Sequence, residues 1–178
     1  LDQWQKLCAL GIEKWINKKK ADGKIRQLGF SFHGSSDEFL KIIDAYDWDF
    51  CQIQYNYSDE NYQAGVTGLR RAAEKKMPVI IMEPLLGGKL ATGLPKEAEH
   101  VFKRVNKELS PAAWGLRWLL DQKEVTVILS GMSNDAQVVD NLKTANTSSA
   151  GMLTEAEKEA FRSVIKIFRA TYKVQCTG

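Results

Sequence analysis

The chain of 178 residues is long enough to bury one core, and its 44% hydrophobic and 26% charged residues are typical of a globular protein. A net charge of only +3, spread along the sequence, argues against nucleic-acid binding, and no apolar run approaches the length of a membrane span. Three widely spaced cysteines argue against a disulfide framework, so we expect a single domain over residues 1–178 in a reducing, cytoplasmic compartment.

The first half of the chain alternates between helical and strand patterns. Apolar residues recur at helical spacing over residues 2–20, and residues 24–32 are predicted to form a strand. Residues 35–38 have the form of a capping box and open a second helix. Another predicted strand, residues 49–55, leads through a polar, tyrosine-rich loop into a helix ending near Lys76.

The second half continues this alternation. Residues 78–82 form a short apolar run rich in β-branched residues, which is typical of a strand buried on both faces of a parallel sheet. Residues 125–129 are the fourth predicted strand. Four helices are predicted here: residues 96–105, one beginning at Ser110 and Pro111, one from Ser133 to about Thr144, and a last helix opened by a capping box at residues 154–157.

The alternation predicts an α/β fold with four parallel strands near residues 25–32, 49–55, 78–82 and 125–129, in that spatial order, with helices outside. Such a fold is either a small open sheet or the C-terminal portion of a (β/α)8 TIM barrel, whose usual length is about 250 residues. The chain begins inside a helical pattern and without Met, as a piece of a longer protein would. Both edges of an isolated four-stranded sheet would be unpaired, so self-association of the chain is a further expectation.

The stretch after the third predicted strand organises the candidate site. Glu83 and Pro84 end the strand, because proline cannot donate to the ladder. Gly87 and Gly88 follow, and glycine lets backbone approach a ligand without a Cβ in the way. Parallel α/β folds bind ligands at the carboxyl ends of their strands, so we expect this loop to contribute to a binding site.

Other strand ends add groups of complementary chemistry. Ser31 and Gln52 offer a hydroxyl and an amide, which can recognise another amide. Backbone N–H groups at Gly87 and Gly88, and at the helix beginning near Ser133, suit phosphates. These groups together indicate a dinucleotide site.

In these segments the sequence resembles the C-terminal half of the aldo-keto reductase family. The resemblance covers nearly the whole chain and depends on the order and spacing of residues 23–26, 29–31, 52–55, 84–88, 110–113, 116–118 and 130–133, with Asp140 and Asn141. It implies the eight-fold barrel, an NADP or NAD cofactor, and hydride transfer between that cofactor and a small-molecule carbonyl substrate.

The resemblance also implies roles for individual residues. Ser31 and Gln52 would hold the nicotinamide carboxamide. The pyrophosphate would lie along the loop formed by Pro84, Leu85, Leu86, Gly87 and Gly88, beside Glu83. The adenosine end would be surrounded by Ser130, Gly131, Met132, Ser133, Gln137, Asp140 and Asn141.

Three positions depart from the family pattern. Phe32 replaces an asparagine, and Glu83 stands where an aromatic ring often stacks on the nicotinamide. Gln137 stands where an arginine is frequent. A neutral amide recognises a phosphate less well than a guanidinium, so the preference for NADPH over NADH stays open.

The catalytic Asp, Tyr, Lys and His of the family come from the first half of the barrel, so none is predicted in this sequence. His33 either lines the rim of the site or is a turn residue, and His100 is expected to be solvated. Two alternatives therefore remain: a non-catalytic nucleotide-sensing or assembly protein with the same fold, and an unrelated open α/β phosphate-binding domain.

Residues 30–33, 82–88 and 174–178 look like the ferredoxin-fused branch of the family. In that branch the chain continues into an iron–sulfur segment, and Cys176 could be one ligand of a [4Fe-4S] cluster in a longer parent. Cys8 and Cys51 are predicted to be buried core residues.

Overall fold

The computed structural model describes residues 1–172, which fold around one parallel β-sheet. The four strands lie side by side in chain order, and each neighbouring pair is parallel. The strands are β1 (Gly29–Phe32), β2 (Phe50–Gln54), β3 (Val79–Met82) and β4 (Val125–Ile128). The predicted α/β class and the predicted strand order are therefore confirmed.

Eight helices accompany the sheet in the described part of the chain. They are α1 (Asp2–Ala9), α2 (Ile12–Ala21), α3 (Ser36–Asp44), α4 (Gly65–Glu74), α5 (Lys96–Val105), α6 (Pro111–Leu120), α7 (Asp135–Asn146) and α8 (Glu155–Thr171). None of the helices described here is long and apolar enough to span a membrane.

Side-chain caps determine where several helices begin. Ser35 and Glu38 form a reciprocal capping box at α3, and Thr154 and Glu157 form another at α8. The Ser110 hydroxyl accepts a hydrogen bond from a backbone N–H in the first turn of α6. These three predicted helix starts are confirmed, and each cap of this kind contributes about 1 kcal/mol.

The single helix predicted over residues 2–20 is wrong, because the chain bends between α1 and α2. Gly11 lies at the bend with a φ of 80°, a left-handed conformation that costs glycine little. The bend allows both Trp4 and Ile16 to be buried, while Trp15 remains 52% exposed. The periodicity indicated helix correctly but did not reveal the change of direction.

Strand β1 is shorter than the predicted strand over residues 25–32, since its ladder begins only at Gly29. The backbone N–H of Leu28 instead donates to the Asp49 carboxylate at 2.7 Å. The same carboxylate oxygen accepts from the Lys20 ammonium at 2.7 Å. The Asp49 carboxylate thus accepts a hydrogen bond from the Leu28 N–H, a backbone group that the sequence analysis had placed in the sheet. The hydrogen bond from Lys20, followed by the one from Leu28, lowers the pKa of Asp49.

The two faces of the sheet have different surroundings. Four side chains on one face have no exposed surface and pack beneath helices: Cys51, Ile53, Val79 and Ile81. On the opposite face Ser31 lies beside Gln52, and Gln52 lies beside Ile80 on β3. Val127 of β4, opposite Ile80, is 44% exposed. The second face is therefore open, and polar groups at its carboxyl edge can reach a ligand.

Apolar side chains form two separate cores. The first core lies between the sheet and helices α1 to α4. The second core is formed by α5, α6 and α8, where the rings of Phe102 and Trp114 stack at 4.5 Å and the buried Tyr57 packs edge-on against Phe102. Trp118 packs against both cores, and Leu85 packs against the second. The loop after β3 is therefore supported by the second core.

The cysteines differ in environment. Cys51 is fully buried as predicted, and burial raises the pKa of its thiol to about 12. The prediction for Cys8 is wrong, because this residue is only half-buried at the edge of the first core. Cys176 lies outside the described residues.

Candidate functional site

Three side chains meet on the open face of the sheet at the carboxyl ends of β1, β2 and β3. The Gln52 amide nitrogen lies 3.5 Å from the Ser31 hydroxyl and 3.4 Å from the Met82 sulfur. The Ser31 hydroxyl is 3.8 Å from the same sulfur. Thioether sulfur is a weak acceptor, so the hydroxyl and the amide are free to bind a stronger partner. The structure thus brings Ser31 and Gln52 together.

The loop after β3 has an unusual backbone. Glu83 and Leu86 have φ values of 53° and 51°, and Gly87 and Gly88 have φ values of 60° and 88°. Asn56 donates from its side-chain amide to the Glu83 carbonyl at 3.2 Å. The four left-handed residues fold the loop into successive tight turns, in which the Leu86 and Gly88 backbone N–H groups donate to the Glu83 and Leu85 carbonyls at 3.2 and 3.0 Å.

The segment after β4 supplies a second group of donors. Asn141 donates to the Ser130 hydroxyl at 2.9 Å. The side-chain oxygen of Gln137 accepts from the Ser133 backbone N–H at 2.7 Å and from its hydroxyl at 3.2 Å. Asn134 caps α7 by accepting from the Gln137 backbone N–H. These contacts fix the orientation of the segment that joins β4 to α7.

One cavity of about 390 Å³ lies between these two loops. Ten of the predicted site residues line it: Glu83, Pro84, Leu85, Gly87, Gly88, Ser130, Gly131, Met132, Gln137 and Asn141. Four further lining residues were missed by the sequence analysis: Ala91, Thr92, Ala112 and Leu129. Thr92 and Ala112 could have been predicted as lining residues. Thr92 follows the glycine loop and Ala112 follows the Ser110 cap, and both features were identified from the sequence.

Five predicted site residues lie outside the lining of this cavity. Ser31 and Gln52 form the adjoining polar group on the sheet, and Leu86 packs against the second core. Ser133 lies behind Gln137, to which it donates. Asp140 accepts from the Ser110 hydroxyl at 2.6 Å and so connects α7 to the start of α6.

Two acidic side chains near the carboxyl ends of the strands are partly buried, Asp59 and Glu60. Burial raises the pKa of Asp59 and of Glu60, which follow β2, while the charge of Arg169 opposes the shift. Arg169 also donates to the Ser58 carbonyl at 2.7 Å and so anchors this loop to α8.

His33 and His100 are both exposed. Within residues 1–172 no group of three or more His, Cys, Asp or Glu residues is arranged to hold a metal ion.

The groups gathered here are suited to hydrogen bonding. A hydroxyl and an amide lie at one end, and a loop with left-handed backbone and the capped start of α7 lie at the other. A ligand that carries an amide at one end and phosphates farther along would match this order.

A parallel sheet with outer helices and a ligand loop at the carboxyl ends of its strands is the architecture of TIM-barrel proteins. A model of the aldo/keto reductase family matches residues 7–159, and the chain belongs to that family. A comparison with curated proteins gave no match.

Solved structures agree with this fold. The holo form of aldo-keto reductase AKR11C1 from Bacillus halodurans is similar over 83% of this chain and 53% of its own, at 20% identity and a TM-score of 0.60. An aldo/keto reductase from Klebsiella pneumoniae in complex with NADP and acetate is similar over 85% of this chain and 51% of its own, at 19% identity and a TM-score of 0.64. The chain thus spans about half the length of these proteins.

Proposed function

We propose that this chain is the cofactor-binding, C-terminal half of an NAD(P)-dependent aldo-keto reductase barrel. The observation that carries the proposal is the meeting of Ser31 and Gln52 beside a cavity walled by the glycine loop. Family membership and the NADP and NADPH complexes of the Klebsiella pneumoniae enzyme support it. The small-molecule carbonyl or alcohol substrate follows from the same proposal.

The residues present fit a nicotinamide dinucleotide. Ser31 and Gln52 would bind the carboxamide, because within residues 1–172 the one side-chain hydrogen-bond partner that they have besides each other is the weakly accepting Met82 sulfur. A Cβ placed on Gly88 would have no atom within 4 Å, so the backbone there faces open space at the cavity. Ser130, Gln137 and Asn141 would surround the adenosine end.

The mechanism divides between this chain and residues outside it. The bound cofactor supplies or accepts the hydride that passes between nicotinamide and substrate carbon. The part of this chain is to orient the nicotinamide through Ser31 and Gln52 and to hold the phosphates at the loop after β3. Proton transfer to the substrate oxygen would come from the Asp, Tyr, Lys and His of an upstream half, so this chain alone is expected to be inactive.

The edges of the sheet support the half-barrel part of the proposal. Strands β1 and β4 each pair on one side only within the described residues. Open parallel edges are usually covered, here by strands of an upstream half or by another copy of the chain. The alternative of a nucleotide-sensing or assembly barrel uses the same cofactor site and differs in the upstream catalytic residues.

The environment of Gln137 bears on the choice of cofactor. Its side-chain oxygen already accepts two hydrogen bonds from Ser133, which leaves a neutral amide NH₂ group toward the cavity. A neutral amide discriminates weakly in favour of a 2′-phosphate. We therefore propose that NADPH has little advantage over NADH at this site.

The assignment to the ferredoxin-fused branch stays a proposal based on the sequence resemblance alone. The described residues offer no cluster of metal ligands, and Cys176 lies beyond them. Iron analysis and electron paramagnetic resonance of a longer chain would test the [4Fe-4S] assignment.

Fluorescence titration of the full-length parent with NADH and NADPH tests the proposed function. Gln52→Ala should weaken binding about fivefold, because one or two hydrogen bonds to the carboxamide are lost. Gln5→Ala, an exposed change of the same chemistry on α1, is the matched control. Equal dissociation constants for both variants and the parent would contradict the proposal.

Gly88→Val should weaken binding more strongly. The branched side chain would occupy open cavity space, and a φ of 88° strains any residue with a Cβ. Gly11→Val is the matched control, because it introduces the same backbone strain at a φ of 80° without placing a side chain in the cavity. Gly11 lies in the bend between α1 and α2. The proposal requires that only Gly88→Val impair cofactor binding.

A further inference from the structure

One backbone N–H of the loop after β3 is already bound by a side chain of the same loop. The Gly87 backbone N–H donates to the Glu83 carboxylate at 2.7 Å, the short distance typical of a charge-assisted hydrogen bond. Among the described residues that line the cavity, Glu83 alone carries a charge. A carboxylate thus lies on the N–H group that a phosphate would need.

The backbone holds Glu83 in this position. Its φ of 53° is left-handed, which costs a residue with a Cβ about 1 kcal/mol or more. Asn56 stabilises this conformation by donating to the Glu83 carbonyl. The Asn56 side-chain oxygen in turn accepts from the backbone N–H groups of Ser58 and Asp59 at 3.1 and 3.0 Å. The loop after β2 therefore holds the Glu83 backbone, from which the carboxylate reaches the Gly87 N–H.

We propose that Glu83 is an internal competitor for the phosphate site and sets its affinity for phosphorylated ligands. Two anions cannot share one N–H donor, so a pyrophosphate can bind Gly87 only after the carboxylate has released it. Removal of the charge should therefore strengthen the binding of a pyrophosphate group. The identification of that group as part of a nicotinamide dinucleotide rests on the proposed function, whereas the competition itself does not.

A different role for Glu83 makes the opposite prediction. Carboxylates at nucleotide sites also accept hydrogen bonds from ribose hydroxyls. In that role the side chain would contact the bound ligand, and its removal would weaken binding. The direction of the change in affinity therefore decides between competitor and ligand contact.

The test compares Glu83→Gln and Glu83→Gly with the unaltered chain of 178 residues. Glu83→Gln keeps the shape and leaves only a weaker neutral acceptor, and Glu83→Gly removes the side chain at a φ that glycine adopts freely. Glu108→Gln removes the same charge from an exposed position after α5 and controls for net charge. The backbone N–H resonances of Gly87 and Gly88 are followed by ¹⁵N NMR during titration with inorganic pyrophosphate at constant ionic strength.

We expect both Glu83 variants to bind pyrophosphate about tenfold more tightly than the unaltered chain, with the largest shifts at Gly87, because one charge-assisted hydrogen bond no longer has to be broken. Glu108→Gln should behave like the unaltered chain. Equal or weaker binding by both Glu83 variants would overturn the proposal.

A parallel titration with NADH separates this inference from the proposed function. If the Glu83 variants gain affinity for pyrophosphate while no form of the chain binds NADH, the competition stands and the dinucleotide assignment fails. If every form binds NADH but the Glu83 variants bind pyrophosphate no more tightly than the unaltered chain, the dinucleotide assignment stands and the competition is refuted.

Discussion

The ion pair between Arg117 of α6 and Glu157 of α8 offers a direct test of what holds the second core together. The guanidinium lies 2.8 Å from the carboxylate, and the two side chains are only 14% and 9% exposed. Arg117→Met keeps the apolar stem and removes the charge, which leaves the Glu157 carboxylate in a poorly solvated site. The loss of one partner from a buried pair typically costs about 3–5 kcal/mol.

Two features reduce this cost. The second oxygen of Glu157 still accepts from the backbone N–H and the hydroxyl of Thr154, at 2.8 and 3.0 Å. Both members of the pair also keep some contact with water. We therefore expect Arg117→Met to lower the free energy of unfolding by about 2–3 kcal/mol.

Urea denaturation followed by circular dichroism measures this loss. The matched control is Lys103→Met, which breaks the exposed Lys103–Glu99 pair within α5 and should cost less than about 0.5 kcal/mol. The reasoning is refuted if the two variants lose the same free energy of unfolding.

The same pair makes the stability depend on pH. Burial alone would raise the pKa of Glu157, but the hydrogen bonds from Thr154 and Arg117 together lower it. A lowered pKa in the folded state means that the ionised carboxylate stabilises the fold above the unfolded pKa of about 4.3, and that this stabilisation is lost as the pH falls through the folded value. The difference in stability between the unaltered chain and Glu157→Gln should therefore shrink below about pH 4, and a difference that grows on acidification would contradict this.

Three further changes test the fold. Gly29→Ala would place a Cβ 2.4 Å from the Phe50 ring and 2.5 Å from its carbonyl oxygen, so we expect a loss of about 1–3 kcal/mol in thermal unfolding. Lys76→Gly should stabilise the chain by about 0.5–1 kcal/mol in the same assay, because Lys76 is exposed with a φ of 55° just after α4. Asp49→Asn should cost about 1 kcal/mol at pH 7 by weakening the contact with Lys20, and this cost should disappear in acid, since the pKa of Asp49 is lowered in the fold.

The sequence predicted those features of the fold that local chemistry determines. Apolar runs bounded by turn residues located all four strands, and hydroxyl residues followed by Glu located two helix starts. It could not predict where β1 begins, because Asp49, distant in sequence, supplies the hydrogen bond that replaces the ladder at Leu28. The bend at Gly11 was equally hidden, since the apolar spacing continues across it.

The candidate site shows the same division. Strand order alone was sufficient to place Ser31 beside Gln52, because residues at the carboxyl ends of adjacent parallel strands are neighbours. The contact between Glu83 and Gly87 could not be predicted, since it depends on left-handed backbone at a residue other than glycine. Asp140 was expected at the adenosine end, yet its contact with Ser110 is visible only once α6 and α7 are packed.

The presence of two cores has a consequence for how the candidate site can vary. Ser31 and Gln52 extend from the open face of the sheet, opposite the first core, whereas Leu85 anchors the glycine loop on the second core. Trp118 is the side chain shared by both. Under the proposed function, substitutions around Phe102 and the rings near it would change the part of the site that holds the phosphates, while Ser31 and Gln52 keep their geometry. The phosphate-binding part could then vary during evolution independently of the part that binds the carboxamide.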